Sequence, residues 1–219
     1  MSPREVLMIF ARAPEPGRSK TRLIPALGAS GAAEFQRACL LDVCERHAGR
    51  GREVVVWRAG RADHPVWGEV GCPIRAQPEG DLGERMAAAF AHELRRAPRV
   101  VILGTDSPTL APERVDRAFA ALGRVELVLG PALDGGYYLL GARDRVPPVF
   151  RGPAWGGERV LRDTIAQALA AGLRYELLEA GLDVDRPEDL PRLRDELTAL
   201  ARSGGEVPRR IAALLGTLP

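Results

Sequence analysis

The chain has 219 residues, of which 46% are apolar and 27% charged, and its formal net charge at neutral pH is +2. This length suits one α/β domain with a substantial core, and the near balance of charge gives no reason to expect nucleic-acid or membrane binding through bulk charge. Three cysteines without a CxxC pair predict reduced thiols in a cytoplasmic protein, and three scattered histidines argue against a zinc site. The apolar run at residues 6–11 is too short for a signal peptide or a membrane span.

A basic loop follows the first predicted strand. Residues 6–10 are continuously apolar, as in a strand buried on both faces of a parallel sheet, and residues 11–23 then contain two prolines and a glycine. The loop carries four cations, which are Arg12, Arg18, Lys20 and Arg22. Lys20 is the only lysine of the chain. This loop suits a phosphate chain, with backbone N–H groups freed by the turn at Gly17 as further donors.

Two known phosphate-binding patterns do not fit this loop. A P-loop requires glycine before its lysine, whereas Ser19 stands before Lys20, and no Rossmann GxGxxG pattern is present. The plain alternative is a solvated basic loop without a ligand.

A central strand is predicted at residues 100–103, and it ends in Gly-Thr-Asp-Ser-Pro with Asp106 at its tip. In open α/β sheets ligands bind at the carboxyl ends of the strands. A carboxylate there is well placed to hold Mg²⁺, which is commonly bound by one or two carboxylates plus substrate phosphates. The alternative is that Asp106 opens a turn or caps the helix from Pro112.

A second carboxylate pair, Asp183 and Asp185, follows a late predicted strand at residues 174–178. Alternation along an extended chain places both side chains on the same side. Asp185 could also cap the helix that begins near Pro187, and capping is compatible with metal binding.

Two glycine-containing segments each allow a structural and a functional interpretation. The first precedes and opens a helix that runs to about residue 96, and it contains Gln77, Gly80, Asp81 and Gly83. Its glycines would let a flat ligand such as a base approach closely, or Asp81 would simply cap the helix. The second is the run Asp134, Gly135, Gly136 and Tyr137. It reads as a hairpin turn, or as backbone lying against a substrate with Asp134 and Tyr137 as polar contacts.

The remaining pattern alternates strands and helices. Further strands are predicted at 53–57, 73–76 and 126–131, and helices at 31–48 (with Ser30 as cap), 112–122, 159–171, 187–200 and about 206–216. This order predicts a three-layer α/β/α fold around a mainly parallel sheet, in a single domain spanning residues 1–219.

Five motifs in this order and spacing resemble one family: FARAPEPGRSKTRL, EGDLGERM, GTDSPTL, LDGGYYLLG and DVDRPEDL. The family consists of small bacterial proteins called glycosyltransferase-like or domain-of-unknown-function 2064. It is similar to 2-phospholactate guanylyltransferase and, more distantly, to the molybdenum cofactor guanylyltransferase. The resemblance implies the nucleotide-diphospho-sugar transferase (glycosyltransferase A) fold, a mixed sheet with one antiparallel strand, a nucleotide bound across the first loop, and a divalent metal on Asp106.

These observations lead to a hypothesis of Mg²⁺- or Mn²⁺-dependent nucleotidyl transfer to a small phosphorylated or anionic acceptor, with release of pyrophosphate. Predicted catalytic residues are Lys20, Arg12 and Asp106, and predicted metal ligands are Asp106, Asp183 and Asp185. Predicted nucleotide-binding residues are Ala11, Arg12, Gly17, Lys20, Arg22, Gln77, Gly80, Asp81, Gly83 and Thr105. Predicted substrate-binding residues are Asp134, Gly135, Gly136 and Tyr137.

Two other functions stay open at this point. One is a glycosyltransferase that uses a nucleotide-diphospho-sugar, although Pro108 rather than an acidic residue stands two positions after Asp106, which favours nucleotidyl transfer. The other is a nucleotide-binding regulator without catalysis. The expected partners are a nucleotide and a small-molecule acceptor, with no nucleic acid and no membrane span. The sequence leaves open whether the protein forms a homodimer.

Overall fold

The computed structural model describes residues 4–152 and 154–216. The strands are β1 (Glu5–Arg12), β2 (Glu53–Ala59), β3 (Ile74–Ala76), β4 (Arg99–Leu103), β5 (Leu127–Pro131), β6 (Tyr137–Arg143) and β7 (Tyr175–Leu177). The α-helices are α1 (Ile24–His47), α2 (Leu82–Leu94), α3 (Pro112–Ala121), α4 (Val160–Ala170), α5 (Asp189–Arg202) and α6 (Arg209–Leu214).

The seven strands form one sheet in the order β3-β2-β1-β4-β6-β5-β7. Strand β6 pairs antiparallel with both β4 and β5, and the other pairings are parallel. The chain reaches β6 from β5 through a short hairpin, which can join only antiparallel strands, whereas parallel neighbours need a longer crossover. The fold class, a three-layer α/β/α arrangement with a mainly parallel mixed sheet, is thus as predicted.

Apolar residues of β1 alternate between the two faces of the sheet. Leu7 and Ile9 pack in a cluster with residues of α1 and α3, whereas Val6 and Met8 pack in a cluster with residues of α2 and α4. All four side chains are fully buried. The continuous apolar run in the sequence therefore reflects a strand with a helical layer on each side.

A third apolar cluster joins the outer side of α1 to the C-terminal helices α5 and α6. Helix α1 begins before the predicted start at residue 31, and Gly28, with a φ of 71°, interrupts its helical geometry. We had expected Ser30 to cap the helix, but it lies two residues after the kink at Gly28, inside α1.

The carboxyl ends of β1 and β4 lie side by side in parallel register, with Met8 opposite Ile102. The basic loop after β1 and the segment after β4 consequently emerge at the same edge of the sheet. The segment that follows β7 also reaches this edge, where the N–H of Val184 donates to the carbonyl of Asp106 at 2.8 Å. In the described ranges, none of the helices is both long enough and apolar enough to cross a membrane.

Candidate active site

Lys20 lies at the centre of this edge. Its Nζ is 2.7 Å from Oδ1 of Asp106 and 2.8 Å from Oδ1 of Asp185, and it donates to the carbonyl of Val184 at 2.5 Å. The side chain of Lys20 is only 4% exposed, whereas those of Asp106 and Asp185 are 37% and 36% exposed. Tertiary structure thus joins the basic loop to both acidic segments through one ammonium group.

The backbone of Lys20 adopts the left-handed conformation, with φ 46° and ψ 45°. A non-glycine residue there costs free energy, and such conformations persist where the surroundings impose them, often at functional sites. Here the three contacts of the ammonium group hold the residue in place.

The carboxylates keep Lys20 charged despite its burial. Burial alone would lower the pKa of Lys20, but the charges of Asp106 and Asp185 outweigh it and raise the pKa above its ordinary value. For Asp185, burial acts to raise the pKa, and attraction to Lys20 and Arg22 overcomes it, so the pKa is lowered. The Asp185–Lys20 pair is therefore ionised at neutral pH.

Asp183 lies in a different environment, although it is two residues from Asp185. Burial, and then repulsion from Asp106, raise the pKa of Asp183 to about 8. Its Oδ1 accepts a hydrogen bond from the Ser107 hydroxyl at 3.1 Å. Val184, between the two aspartates, is fully buried, and both carboxylates face the site as the predicted alternation requires.

Three carboxylates, those of Asp106, Asp183 and Asp185, thus converge around one lysine. In the ranges that the structure describes, no three acidic, histidine or cysteine side chains are arranged to hold a metal ion as they stand. Two carboxylates with substrate phosphates are nevertheless a common Mg²⁺ site. Asp106 and Asp183 repel each other, and a divalent cation bound between such carboxylates would relieve this repulsion. The donor set therefore fits a hard cation.

Asp185 does not cap α5, the alternative considered from the sequence. The residue at the cap position is Glu188, whose side chain accepts no capping hydrogen bond. Asp189 instead accepts from the N–H groups of Asp185 and Arg186, at 3.0 and 2.8 Å. The Asp185 carboxylate is therefore left to bind Lys20.

A cavity of about 670 Å³, called here the basic cavity, opens beside Lys20. Five cations line it, which are Arg12, Arg18, Lys20, Arg22 and Arg85. Other predicted residues that line it are Ala11, Gln77, Thr105, Asp106 and Asp185. Its size is within the range of small-molecule sites, and its charge complements a phosphate chain.

A second cavity of about 360 Å³, called here the acceptor cavity, adjoins the first. Asp106 and Asp185 line both cavities, and so do Phe10, Leu82, Thr105 and Gly156. The predicted residues Asp134, Gly136, Tyr137 and Asp183 line the acceptor cavity alone. The two cavities thus form one cleft, divided where the carboxylates meet Lys20.

Three residues of the segment before and within the start of α2 do not line either cavity. Asp81 caps α2, since its Oδ1 accepts from the N–H of Glu84 at 2.9 Å, and the Glu84 carboxylate accepts from the N–H of Asp81 at the same distance. Gly80 has a φ of 118° in the turn before this cap. A Cβ on Gly83 would lie 2.7 Å from the indole of Trp155. The flat group that Gly83 admits is therefore a side chain of the protein rather than a base.

Two further predicted glycines also lie outside the cavity linings. Gly135, with a φ of 90°, packs so closely on Glu158 that a Cβ would lie 2.1 Å from its carbonyl oxygen. Gly17, with a φ of 76°, forms the turn of the basic loop. The N–H groups of Arg18 and Ser19 after it both donate to the Glu15 carbonyl at 3.0 Å. The expectation that this turn frees backbone donors was wrong for these two groups, because the loop uses them internally.

Several cleft residues were not predicted. Gln36 of α1 is 6% exposed and donates from Nε2 to Oγ1 of Thr105 at 3.0 Å. The sequence did indicate Gln36, because it is a polar residue at a position of the helix where apolar residues are expected. Trp155, Ser107 and Arg85 carried no comparable signal, because only tertiary packing brings them to this edge.

Comparison with known proteins identifies relatives across nearly the whole chain. A 3-phospho-D-glycerate guanylyltransferase from Phenylobacterium zucineum (strain HLK1) is 33% identical over 211 residues, 91% of each chain. A 2-phospho-L-lactate guanylyltransferase from Natronomonas pharaonis is 30% identical over 190 residues, which cover 85% of this chain and 82% of the relative.

Solved structures agree with these sequence matches. A crystal structure from Desulfovibrio desulfuricans G20, described among nucleotide-diphospho-sugar transferases, has a TM-score of 0.86 at 30% identity and covers 97% of this chain and 96% of that one. A CTP-bound CMP:2-keto-3-deoxy-manno-octonic acid synthetase, 14% identical with a TM-score of 0.58, shares the fold over 91% of this chain and 99% of its own.

These comparisons confirm the predicted resemblance and the prediction that the chain is an enzyme of the transferase class. The family model described as "Uncharacterized protein conserved in bacteria (DUF2064)" matches residues 40–157. With this match, and with a relative 33% identical over 91% of its length, the chain belongs to the DUF2064 family.

Proposed function

We propose that the protein transfers a nucleoside monophosphate from a nucleoside triphosphate to a small phosphorylated acceptor, and that the transferred group is guanylyl. The observation that carries this proposal is the junction of a cation-lined cavity with a second cavity at Asp106 and Asp185. The two relatives named as guanylyltransferases of phosphorylated acids support the reaction type and the base.

In this reaction a phosphate oxygen of the acceptor attacks the α-phosphorus of the triphosphate. A new P–O bond forms, the bond between the α-phosphorus and the bridging oxygen breaks, and pyrophosphate leaves with the bond electrons. Such transfers need positioning and charge neutralisation more than a side-chain nucleophile. In our proposal the basic cavity binds the triphosphate, and Lys20 and Arg12 stabilise the charge on the departing pyrophosphate.

We further propose that Mg²⁺ or Mn²⁺ is required, with Asp106 and either Asp183 or Asp185 as its carboxylate ligands. A bound divalent cation would neutralise phosphate charge and polarise the α-phosphate. Asp185 has a second role in this proposal, since its ionised carboxylate positions Lys20. Ser107, which donates to Asp183, orients that carboxylate.

Glycosyl transfer from a nucleotide-sugar is the second candidate, favoured by the description of the Desulfovibrio desulfuricans structure. Both candidates use a nucleotide diphosphate moiety in the basic cavity, so the ligand that binds best distinguishes them.

The first experiment is thermal unfolding with each of four nucleoside triphosphates and with nucleotide-sugars, with and without Mg²⁺ or Mn²⁺. A ligand at about one hundred times its dissociation constant stabilises the folded state by roughly 2.7 kcal/mol, which thermal unfolding detects. We expect a metal-dependent shift with GTP, followed by pyrophosphate release when a phosphorylated acceptor is added. A shift with nucleotide-sugars alone would favour glycosyl transfer, and a shift with another triphosphate would change the base.

A further inference from the structure

The acceptor cavity has walls of a chemical character opposite to those of the basic cavity. Much of its lining is apolar or aromatic, including Met86, Leu140, Trp155 and Val160. Among the described residues that line it, the side chains charged at neutral pH are carboxylates. The cavity therefore presents an apolar surface and a negative field to whatever enters it.

Most of this negative charge has a partner or a proposed use. Asp106 and Asp185 share the ammonium group of Lys20, and Asp183 accepts from Ser107. Asp134 differs, since the contact of its carboxylate is a hydrogen bond from the N–H of Gly136 at 2.9 Å. It has no ion pair with any residue that the structure describes. Asp134 is thus an uncompensated charge at the wall of the cavity.

A second negative charge on the acceptor would meet this wall without a cation to pair with. Asp134 is exposed, so water weakens its repulsion of a second anion but does not remove it, and the partly apolar lining adds a cost for burying that anion unpaired. The phosphate of an acceptor avoids this cost, because it lies at the junction with Lys20 and the proposed metal. In this proposal the organic part extends from the junction toward Asp134, where the described lining residues offer no side-chain cation.

We infer that the acceptor is a phosphate monoester whose organic part carries no negative charge, and that Asp134 excludes acceptors with a carboxylate there. This inference rests on the proposed nucleotidyl transfer and narrows its acceptor class. It separates this chain from the two relatives, since 3-phospho-D-glycerate and 2-phospho-L-lactate each carry a carboxylate besides their phosphate.

The test uses two acceptors of nearly equal size, glycerol 3-phosphate and 3-phospho-D-glycerate. The first carries a hydroxymethyl group where the second carries a carboxylate. With GTP and Mg²⁺, we expect kcat/KM for glycerol 3-phosphate to exceed that for 3-phospho-D-glycerate by at least about tenfold. A higher kcat/KM for 3-phospho-D-glycerate, or equal values, would overturn the inference.

Two substitutions at one exposed position test the part assigned to Asp134. Asp134→Asn removes the charge but keeps the oxygen that accepts from Gly136, so the preference should shrink several-fold toward equality. Asp134→Lys replaces the charge by its opposite and should favour 3-phospho-D-glycerate. Thermal unfolding checks that both variants fold. If folded variants keep the wild-type preference, Asp134 does not select the acceptor and the inference is wrong.

A binding measurement separates this inference from the proposed function. Calorimetry would measure the affinity of the same two phosphate esters in the presence of Mg²⁺ and a guanosine triphosphate analogue with an α,β-methylene bridge, which prevents transfer. Tighter binding of glycerol 3-phosphate without turnover of GTP would support the inference while removing the proposed reaction. Turnover of GTP with no preference between the esters would support the proposed reaction and overturn the inference. Failure of both esters to bind would also overturn the inference.

Discussion

The basic cavity and the acceptor cavity share a wall, but their charged residues differ in sign and come from different segments of the chain. Five cations line the first, and they come from the end of β1, from the segment that follows it and from α2. The titratable acidic residues of the second are four aspartates, which follow β4, β5 and β7. The opposed charges meet at Lys20, which is bound to one aspartate from the segment after β4 and one from the segment after β7. The candidate site thus lies where the carboxyl ends of central strands bring oppositely charged segments together.

Two aspartates of this site, which look alike in the sequence, have different environments in the structure. Asp183 and Asp185 lie two residues apart on one extended segment, yet their pKa values shift in opposite directions, because Asp185 contacts Lys20 whereas Asp183 is buried against Asp106. Substitutions at Asp106, Lys20, Gly83 and Asp183 test this description of the cleft.

The largest effect is expected for Asp106→Asn, because Asp106 lies at the junction and is a proposed metal ligand. Turnover should fall by roughly 10²–10³-fold, the range seen when one transition-state-stabilising group is removed. Lys20 keeps its contact with Asp185, so the protein should still fold. Pyrophosphate release and thermal unfolding measure the two effects, with the exposed carboxylate of Asp195 as the matched control (Asp195→Asn). Wild-type turnover in folded Asp106→Asn would contradict the assignment.

Lys20→Ala should weaken triphosphate binding by roughly 10- to 100-fold, the range for lost hydrogen bonds between charged groups, and leave nucleoside binding nearly unchanged. Arg162→Ala is the control, since that side chain is 69% exposed, lines neither cavity and should contribute little. Calorimetry with GTP and guanosine compares the two ligands. Equal losses for both would place Lys20 outside the phosphate site.

Gly83→Ala should destabilise the protein by roughly 1–3 kcal/mol, the usual cost of overpacking. The added Cβ would lie 2.3 Å from the Phe150 carbonyl oxygen and 2.7 Å from the indole of Trp155, so the neighbours must move. Denaturant unfolding measures the change, and Gly68→Ala is a control where an added Cβ meets no atom within 4 Å. A stable variant with impaired nucleotide binding would instead restore the base-binding interpretation of Gly83.

Per pH unit, the smallest expected change is in the stability of the metal-free protein. The pKa of Asp183 is raised to about 8 in the folded state from its ordinary value of 3.8, so the folded state binds its proton more tightly. Its contribution is complete below pH about 4 and is lost as the pH rises toward 8, by at most about 1.4 kcal/mol per pH unit. Asp183→Asn should flatten the decline between pH 5 and 8 in unfolding curves. An unchanged slope would show that Asp183 is ionised throughout.

The sequence by itself determined most of the fold. Continuous apolar runs at β1, β2 and β4 predicted buried strands, because a strand covered on both faces has no polar side. Proline at the start of α3 and an acidic cap at α2 were also readable, since both effects act within one helical turn. The same reasoning placed the start of α1 at residue 31, whereas the helix begins at Ile24 and is kinked at Gly28.

Only the tertiary structure decided how the candidate site is arranged. The pairing of Lys20 with Asp106 and Asp185 spans 86 and 165 positions of the chain, and no local pattern states which aspartate receives the ammonium group. Packing likewise decided that Gly83 receives the Trp155 indole and that Gln36 supports Thr105. Local propensity acts over a few residues, whereas charge pairing and burial depend on which strand ends the sheet brings together. The residue types of the site were therefore readable in the sequence, but their partners and pKa values were not.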